Sequence, residues 1–224
     1  LTVSDPTILS GEVVDDCFRG ANPTSRQHLI RTAWVRRIGR DETVYRQGEP
    51  PVVVVVLDGH LAMRRTTLDG RQLMPEILSR GRIAGLAAVA SRPAIVDLFA
   101  LTEAEIATWI GPEIRFLAGQ DPGLALDVID IALSSVEILS TRLDSLLYQD
   151  ARRRVARVLM LYRALFFDPP VVLTKSHLPA LVGTSREMTG RVLRELESEG
   201  LVQRCESGNL CLTDAAGLAR VATS

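Results

Sequence analysis

Residues 184–200, Thr-Ser-Arg-Glu-Met-Thr-Gly-Arg-Val-Leu-Arg-Glu-Leu-Glu-Ser-Glu-Gly, read as one helix with both ends marked. Thr184 is placed to cap the N-terminus, and Glu187, three residues on, to return the bond. Gly200 supplies the left-handed position that ends a helix. Met188, Val192, Leu193 and Leu196 recur at helical spacing and form the expected buried face. The first turn and a half then shows Ser185, Arg186, Glu187, Thr189 and Arg191 to solvent. Side chains of this kind can read base edges: Arg forks to guanine, Glu accepts from cytosine, and Ser or Thr bonds a base or a phosphate. Just upstream, Thr174 to Val182 predicts a short capped helix, and Gly183 a tight turn. The two helices have the spacing of a helix-turn-helix, whose second helix enters the major groove. An ordinary helical hairpin with a charged face is the competing reading.

Working outward, Leu201–Glu206 and Leu210–Thr213 flank Ser207-Gly208-Asn209 and predict a hairpin, followed by a closing helix over Asp214–Val221. With a short strand expected at Val171–Leu173, the C-terminal part reads as a winged helix-turn-helix. Asp150 is placed to cap a helix running from Ala151 to Phe167. That helix opens on Arg152-Arg153-Arg154, against the macrodipole, so these arginines serve a solvated face or a contact more than helix stability. Before it lies a long helical run ending at Tyr148. Leu126, Ile129, Leu133, Val136, Ser140, Leu143 and Leu147 keep alternating steps of three and four along it, the seam of a coiled coil with one polar member. Ile131 and Ile138 fall on another face.

Further upstream the texture changes. Short β-rich runs recur between turn signals from Asp41 to Thr108: Thr43–Tyr45, Val52–Leu57, His60–Thr66, Gln72–Leu78, Arg82–Leu86, Ala94–Leu101 and Glu105–Trp109. Glycines at 48, 59, 70 and 81 mark the turns. Several short strands at this spacing predict an antiparallel barrel or sandwich. Ser25–Ile38 carries Leu29, Ile30, Ala33 and Trp34 at helical spacing and predicts a helix there.

Two stretches carry a family resemblance. The run LTKSHLPALVGTSREMTGRVLRELESEGLV resembles the DNA-binding motif of the Crp/Fnr family of bacterial transcription regulators. The layout RQGEPP, VVVLDGHLAMRR, LDGRQLMPEIL and GRIAGL resembles the cyclic-nucleotide-binding β-roll of the same family, and SLLYQDARRRVARVL its junction between dimer helix and DNA domain. The resemblance implies an α+β chain: an N-terminal antiparallel, jelly-roll-like β-roll over 1–111, a short helix and long dimerisation helix over 112–149, and a winged helix-turn-helix over 150–224. It implies a cytoplasmic homodimer on palindromic double-stranded DNA, with RNA polymerase as a further partner. It assigns base reading to Arg186, Glu187 and Arg191, flanked by Ser185, Thr184 and Met188, with Lys175 toward phosphate. Relatives with this triad read half-sites resembling TGTGA. The seam residues, Ser140 among them, become the dimer interface.

The same resemblance marks a departure. The family's phosphate cassette is Gly-Glu followed, after a spacer, by Arg-Ser or Arg-Thr. Here Gly85 matches, but Leu86 stands at the Glu position and Ala94-Ile95 at the Arg-Ser positions; the nearest arginine is Arg92, before Pro93. The hydroxyl positions on the dimer helix fall at Leu139 and Ser140. Apolar side chains cannot pair a phosphate or a ribose hydroxyl. The resemblance is therefore to the fold of a nucleotide site and not to its chemistry, and control by cyclic AMP is not expected. A roll answering to another small molecule or to redox state is the alternative.

Composition agrees. The net charge of −1 hides an asymmetry: Asp150 onward holds 11 Lys/Arg against 8 Asp/Glu, and the residues before it 15 against 19. Cys17, Cys205 and Cys211 make no disulfide framework, and Cys17 alone cannot hold an iron–sulfur cluster. Cys205 and Cys211 would face each other across the wing, with two reduced thiols as the expectation. His28, His60 and His177 lack metal spacing, and no catalytic set or cofactor motif appears, so neither a cofactor nor an enzyme is expected. The longest apolar run, Val52–Leu57, is too short to span a bilayer, and no basic-then-apolar leader is read.

Overall fold

Five consecutive buried side chains, Val53 to Leu57, form the strand around which the N-terminal part folds. The computed structural model describes residues 11–206 and 208–223. Alternate side chains of a strand point to opposite faces, and here both faces are covered. Val53, Val55 and Leu57 enter a core shared with the flanking helices, while Val54 and Val56 enter the interior of a roll. That is why the run is uniformly apolar rather than alternating.

Helices α1 (Gly11–Cys17) and α2 (Pro23–Thr32) precede nine strands: β1 (Trp34–Ile38), β2 (Thr43–Tyr45), β3 (Val53–Asp58), β4 (Leu61–Thr66), β5 (Gln72–Leu73), β6 (Ile77–Leu78), β7 (Ile83–Ala84), β8 (Asp97–Ala100) and β9 (Ala104–Trp109). One sheet runs β1-β9-β3-β7 and a second β2-β8-β4-β5, with β6 also on β4. The pairs β1-β9, β2-β8, β3-β7, β3-β9, β4-β6 and β4-β8 are antiparallel. Strands form within each expected run, but Gln72–Leu78 splits into β5 and β6, Leu86 enters a 3₁₀ turn, Ala94–Val96 stays outside β8, and the expected helix over Ser25–Ile38 does not form. It ends at Thr32, Ala33 takes φ −58° and ψ 127°, and Trp34–Ile38 pairs with Thr108–Ala104. A β-rich pair of edges, Trp34-Val35 and Ile38, outweighs the helical spacing once a sheet edge is there to receive it.

Then come α3 (Gly111–Ala118) and the 27-residue α4 (Pro122–Tyr148). The C-terminal part holds α5 (Ala151–Leu161), α6 (Arg163–Phe167), α7 (Leu178–Val182), α8 (Arg186–Ser198), β10 (Val202–Arg204), β11 (Leu210–Leu212) and α9 (Ala215–Thr223). Chain contacts divide the molecule into two compact units. The first takes the described residues up to Arg65 and Glu76–Ile138; the second takes Thr66–Pro75 and Leu139 onward. No helix among the described residues is long and apolar enough to cross a membrane.

Two further expectations are corrected in the second unit. The helix from Ala151 stops at Leu161, where Tyr162 takes φ −107° and ψ 32°, and α6 restarts after it. Val171–Leu173 is not a strand. The N–H groups of Val172 and Leu173 both donate to Leu165 O, at 3.0 and 2.8 Å, and the apolar run serves burial instead.

In the first unit, two carboxylates at the start of α4 hold the loop before α2. Asp127 accepts from the N–H groups of Gly20 and Ala21 at 2.9–3.0 Å. Asp121 accepts from Asn22 N at 2.8 Å, Gly123 N at 3.0 Å and Leu124 N at 3.3 Å, and so caps α4 and anchors the loop together. The two backbones touch there: a Cβ at Gly123 would stand 1.8 Å from Gly20 O. Burial raises the Asp121 pKa, but hydrogen bonds from the Ser25 side chain and these N–H groups outweigh it, and the net value is lowered. A lowered folded-state pKa contributes stability above the unfolded value and loses it as pH falls through the folded value. Asp121→Ala is expected to cost about 2 kcal/mol at pH 7 by orphaning buried donors. In urea melts, the gap between wild type and variant should narrow below the ordinary value of 3.8. A gap constant from pH 7 to pH 3 would contradict this role.

Candidate nucleic-acid interface

Helix α8 is oriented by what it buries. Thr189, Val192, Leu193 and Leu196 are 0–7 % exposed and lie on one side of it. Burying an aliphatic side chain of this size contributes about 1.5–3 kcal/mol, so rolling the helix would sacrifice several such terms together. The rotation is set, and Arg186, Glu187 and Arg191 are left on the exposed side. Thr189 is a correction: it points inward, with Oγ1 donating to Ser185 O at 2.9 Å. The cap is a second correction. Ser185, not Thr184, is the N-cap, and its Oγ accepts from Met188 N at 3.1 Å. Glu187 therefore sits in the first turn, one position short of the capping-box place. Gly200, at φ 72°, follows the end of the helix as expected.

The turn before α8 depends on Gly183. Its φ is 71°, its N–H donates to Pro179 O at 2.9 Å, and an added Cβ would stand 3.0 Å from Leu146 Cδ2. Pro179 lies in the first turn of the short α7, where the missing N–H costs nothing. The capped helix expected from Thr174 forms only over Leu178–Val182, and Thr174 instead bonds Ser176 and His177 in the preceding turn. Lys175 is exposed in that turn.

No side-chain hydrogen bond or ion pair occupies Arg186 or Glu187 among the described residues. Arg191 lies 3.9 Å from Glu195, and its Nη2 meets Met188 Sδ at 2.9 Å. Met188 is half-buried, Thr184 half-buried, and Ser185 exposed. The residues assigned to base reading thus share one face, with Lys175 apart from them. The α5 arginines turn inward to partners: Arg152 pairs with Glu199 at 2.5 Å, Arg153 donates to Thr223 O at 3.1 Å, and Arg154 to Gln149 O at 2.6 Å.

Sequence reading missed Arg142. Within the second unit its guanidinium donates to Pro75 O at 3.1 Å, to Ala180 O at 3.4 Å and to Leu181 O. Burial lowers its pKa, while Tyr162 acts the other way. Ala180 and Leu181 lie in the last turn of α7, so the cation faces the negative end of that helix, and Pro75 supplies the third carbonyl. Its neighbour Met74 N–H also donates to Ala180 O, at 2.9 Å. A lone arginine in an apolar helical pattern was the one available signal.

Along α4, the seam members Leu126, Ile129, Leu133, Val136, Leu143 and Leu147 are each half or more exposed, and so is Leu139; Ser140 is exposed beside them. Ile131 packs on the first unit's core.

At the roll, Gly85 takes φ 81° and begins a 3₁₀ turn over Leu86–Ala88. A Cβ on it would meet Val52 O at 1.9 Å. Tyr45 lies 3.5 Å from that point, buried with Ala94 in the roll interior, and burial raises its phenol well above the ordinary value. Ala94 exchanges backbone bonds with Gly48 and Glu49 at 2.8 Å, while Ile95 is exposed.

A β-roll and a winged helix-turn-helix in one chain define a DNA-binding regulator with a sensor-type domain. Residues 35–119 match the family model of the cyclic nucleotide-binding domain, and 153–221 that of the Crp-like helix-turn-helix domain. The chain belongs to the Crp/Fnr family of transcription regulators, and it is a regulator, not an enzyme. It is 26 % identical over 188 residues to the cyclic AMP receptor protein of Thermus thermophilus, covering 80 % of this chain and 87 % of that one. Among solved structures, a Crp/Fnr-family transcriptional regulator of Eubacterium rectale superposes with a TM-score of 0.78 at 15 % identity, covering 91 % of this chain and 95 % of the other. The c-di-GMP-responsive global regulator CLP of Xanthomonas campestris gives 0.69 at 22 %, covering 91 % and 99 %.

Proposed function

We propose that the protein is a homodimeric, sequence-specific transcription regulator that reads a palindromic operator with Arg186, Glu187 and Arg191, and that it does so without cyclic AMP or cyclic GMP. On this reading 1–111 is the sensor-like roll, 112–149 the dimerisation segment and 150–224 the DNA-binding part. It acts in the cytoplasm, with RNA polymerase as its partner at a promoter.

The observation that carries the reading is the outward face of α8. Among the described residues Arg186 and Glu187 have no ion pair to break before DNA can take them, and Ser185 and Lys175 stand exposed for backbone contact. Arg186→Ala is expected to cost about 1–3 kcal/mol on the specific site and to relax choice at one base pair. Selection of bound sequences from a random pool tests this; an unchanged preference in the variant would overturn the assignment.

The exposed stripe on α4 supports the dimer. Leu126, Ile129, Leu133, Val136, Leu143 and Leu147 form a long apolar line on a helix in which Leu124 alone is fully buried. Surfaces of this kind mark association sites, and a two-fold pair places recognition helices about 34 Å apart, one DNA turn. Val136→Asp with Leu143→Asp puts unpaired charges into that seam and should yield monomers in sedimentation. An unchanged dimer would remove the seam from consideration.

Independence from cyclic nucleotide is supported by the roll. Leu86, Ala94 and Ile95 offer a phosphate no donor side chain, and Tyr45 and Ala94 belong to the packed interior. A ligand shifts an equilibrium only by its differential affinity for the two states. Titration calorimetry should register no micromolar binding of either nucleotide, and operator affinity should be unmoved by them. Micromolar cyclic AMP binding that tightens DNA affinity would refute the reading.

A further inference from the structure

We propose that Cys205 and Cys211 are a reversible dithiol–disulfide site whose closure orders the wing for DNA binding; the DNA half of this rests on the function proposed above. Two reduced thiols were the expectation here, and the structure instead joins the pair. The wing is a hairpin of two three-residue strands, with Gln203 opposite Cys211 and Arg204 opposite Leu210. Cys205 lies one step beyond, its N–H donating to Asn209 O at 2.9 Å, and Gly208, at φ 79°, donates its N–H to Cys205 O at 2.8 Å. By strand alternation Cys205 and Cys211 therefore fall on the same face, diagonally across the hairpin. Diagonal neighbours in a flat pair stand about 7–8 Å apart, whereas these Cα atoms are 5.6 Å apart, inside the span a disulfide bridges. Both residues are half-exposed, within reach of small oxidants and reductants.

The position is what makes the bond consequential. An isolated two-stranded hairpin is marginal in water. Leu201 and Val202 at its base and Leu210 at the rung next to the loop are buried, and Arg204, across from Leu210, lies 3.5 Å from Glu197 of α8. Beyond that rung, the described loop residues are held by the two backbone bonds at Cys205 and by the Cys205–Cys211 link. Opening the link frees the tip while leaving α8 in place; closing it orders the wing in advance of contact, which lowers the entropy lost on binding. The reaction balances with a peroxide. Two thiols and hydrogen peroxide give one disulfide and two waters, each sulfur losing one electron to the oxygen–oxygen bond. A dithiol reductant reverses it, taking up the disulfide as the two wing thiols recover their protons. Cys17 does not compete. It is largely buried, its Sγ contacts Gly81 O at 3.3 Å, and burial pushes its thiol up to about 11.

The test needs the full chain, hydrogen peroxide, a dithiol and a duplex with two inverted TGTGA half-sites. Cleavage after Arg204 and Arg220 releases one peptide holding both cysteines. Peroxide should lower its mass by two hydrogens, dithiol should restore it, and Cys17 should stay reduced in both. The oxidised protein should bind the duplex about three- to tenfold more tightly than the reduced protein, and Cys205→Ser with Cys211→Ser should bind at the reduced level under both conditions. Over-oxidation to sulfinic acid, bridges between molecules, or a closed pair with affinity unchanged within about twofold would overturn the proposal. Failure of every form to bind any duplex would count against the DNA reading, while the peptide masses, which need no DNA, would still decide the thiol chemistry.

Discussion

The burial of one face of α8 is the constraint from which the functional surface follows. Val192, Leu193 and Leu196 are drawn into the second unit's core, and Thr189 closes the same face with a bond back to Ser185. Ser185 then serves twice: its side chain caps the helix and its carbonyl receives Thr189. With the cap and the buried face set, the direction of each remaining side chain on the helix is decided. An exposed face of long, flexible side chains is in this way carried by short and inflexible ones.

The first unit solves a related problem with charge. Its sheets are covered by helices at two ends of the sequence, and these must be brought to one place. Asp121 and Asp127 do this by accepting backbone N–H groups of the loop before α2 rather than by pairing with a cation. The glycines at 20 and 123 let the two backbones come close enough for those bonds. Arg142 shows the converse arrangement in the second unit: a buried cation met by main-chain carbonyls, without a carboxylate. In both places a partial charge at a chain turn or helix end replaces a formal counter-ion.

What could be read from the sequence followed the physics of each signal. Long periodic runs were legible: the seam that became α4, the face of α8, and the valine run that became β3. Local polar competition was less so. Thr184 and Ser185 are adjacent N-cap residues of similar propensity, and only packing chooses between them; the same one-residue shift turned Thr189 inward. Trp34–Ile38 carried helical spacing but was claimed by β9, a partner 70 residues away in the chain that no local pattern announces. Val171–Leu173 looked like a strand because buried apolar residues in a loop have the same composition. The exposure of Arg186, Glu187 and Arg191 on α8 was legible from the spacing of its apolar residues. Arg142 was not, because its partners are carbonyls, and a carbonyl leaves no mark on a sequence.

Among the 26 basic residues of the chain, Lys175 is the one lysine, and the other 25 are arginines. Guanidinium groups keep their charge throughout the accessible pH range and do not react with acylating reagents as amines do. Lysine-directed chemistry therefore has a single side-chain address in these 224 residues, and it lies in the same unit as α8. An acyl fluorophore placed there would label the unmutated protein in the exposed turn before α7, and an enzyme that acetylates lysines would find there the one side-chain charge on this chain that it could remove.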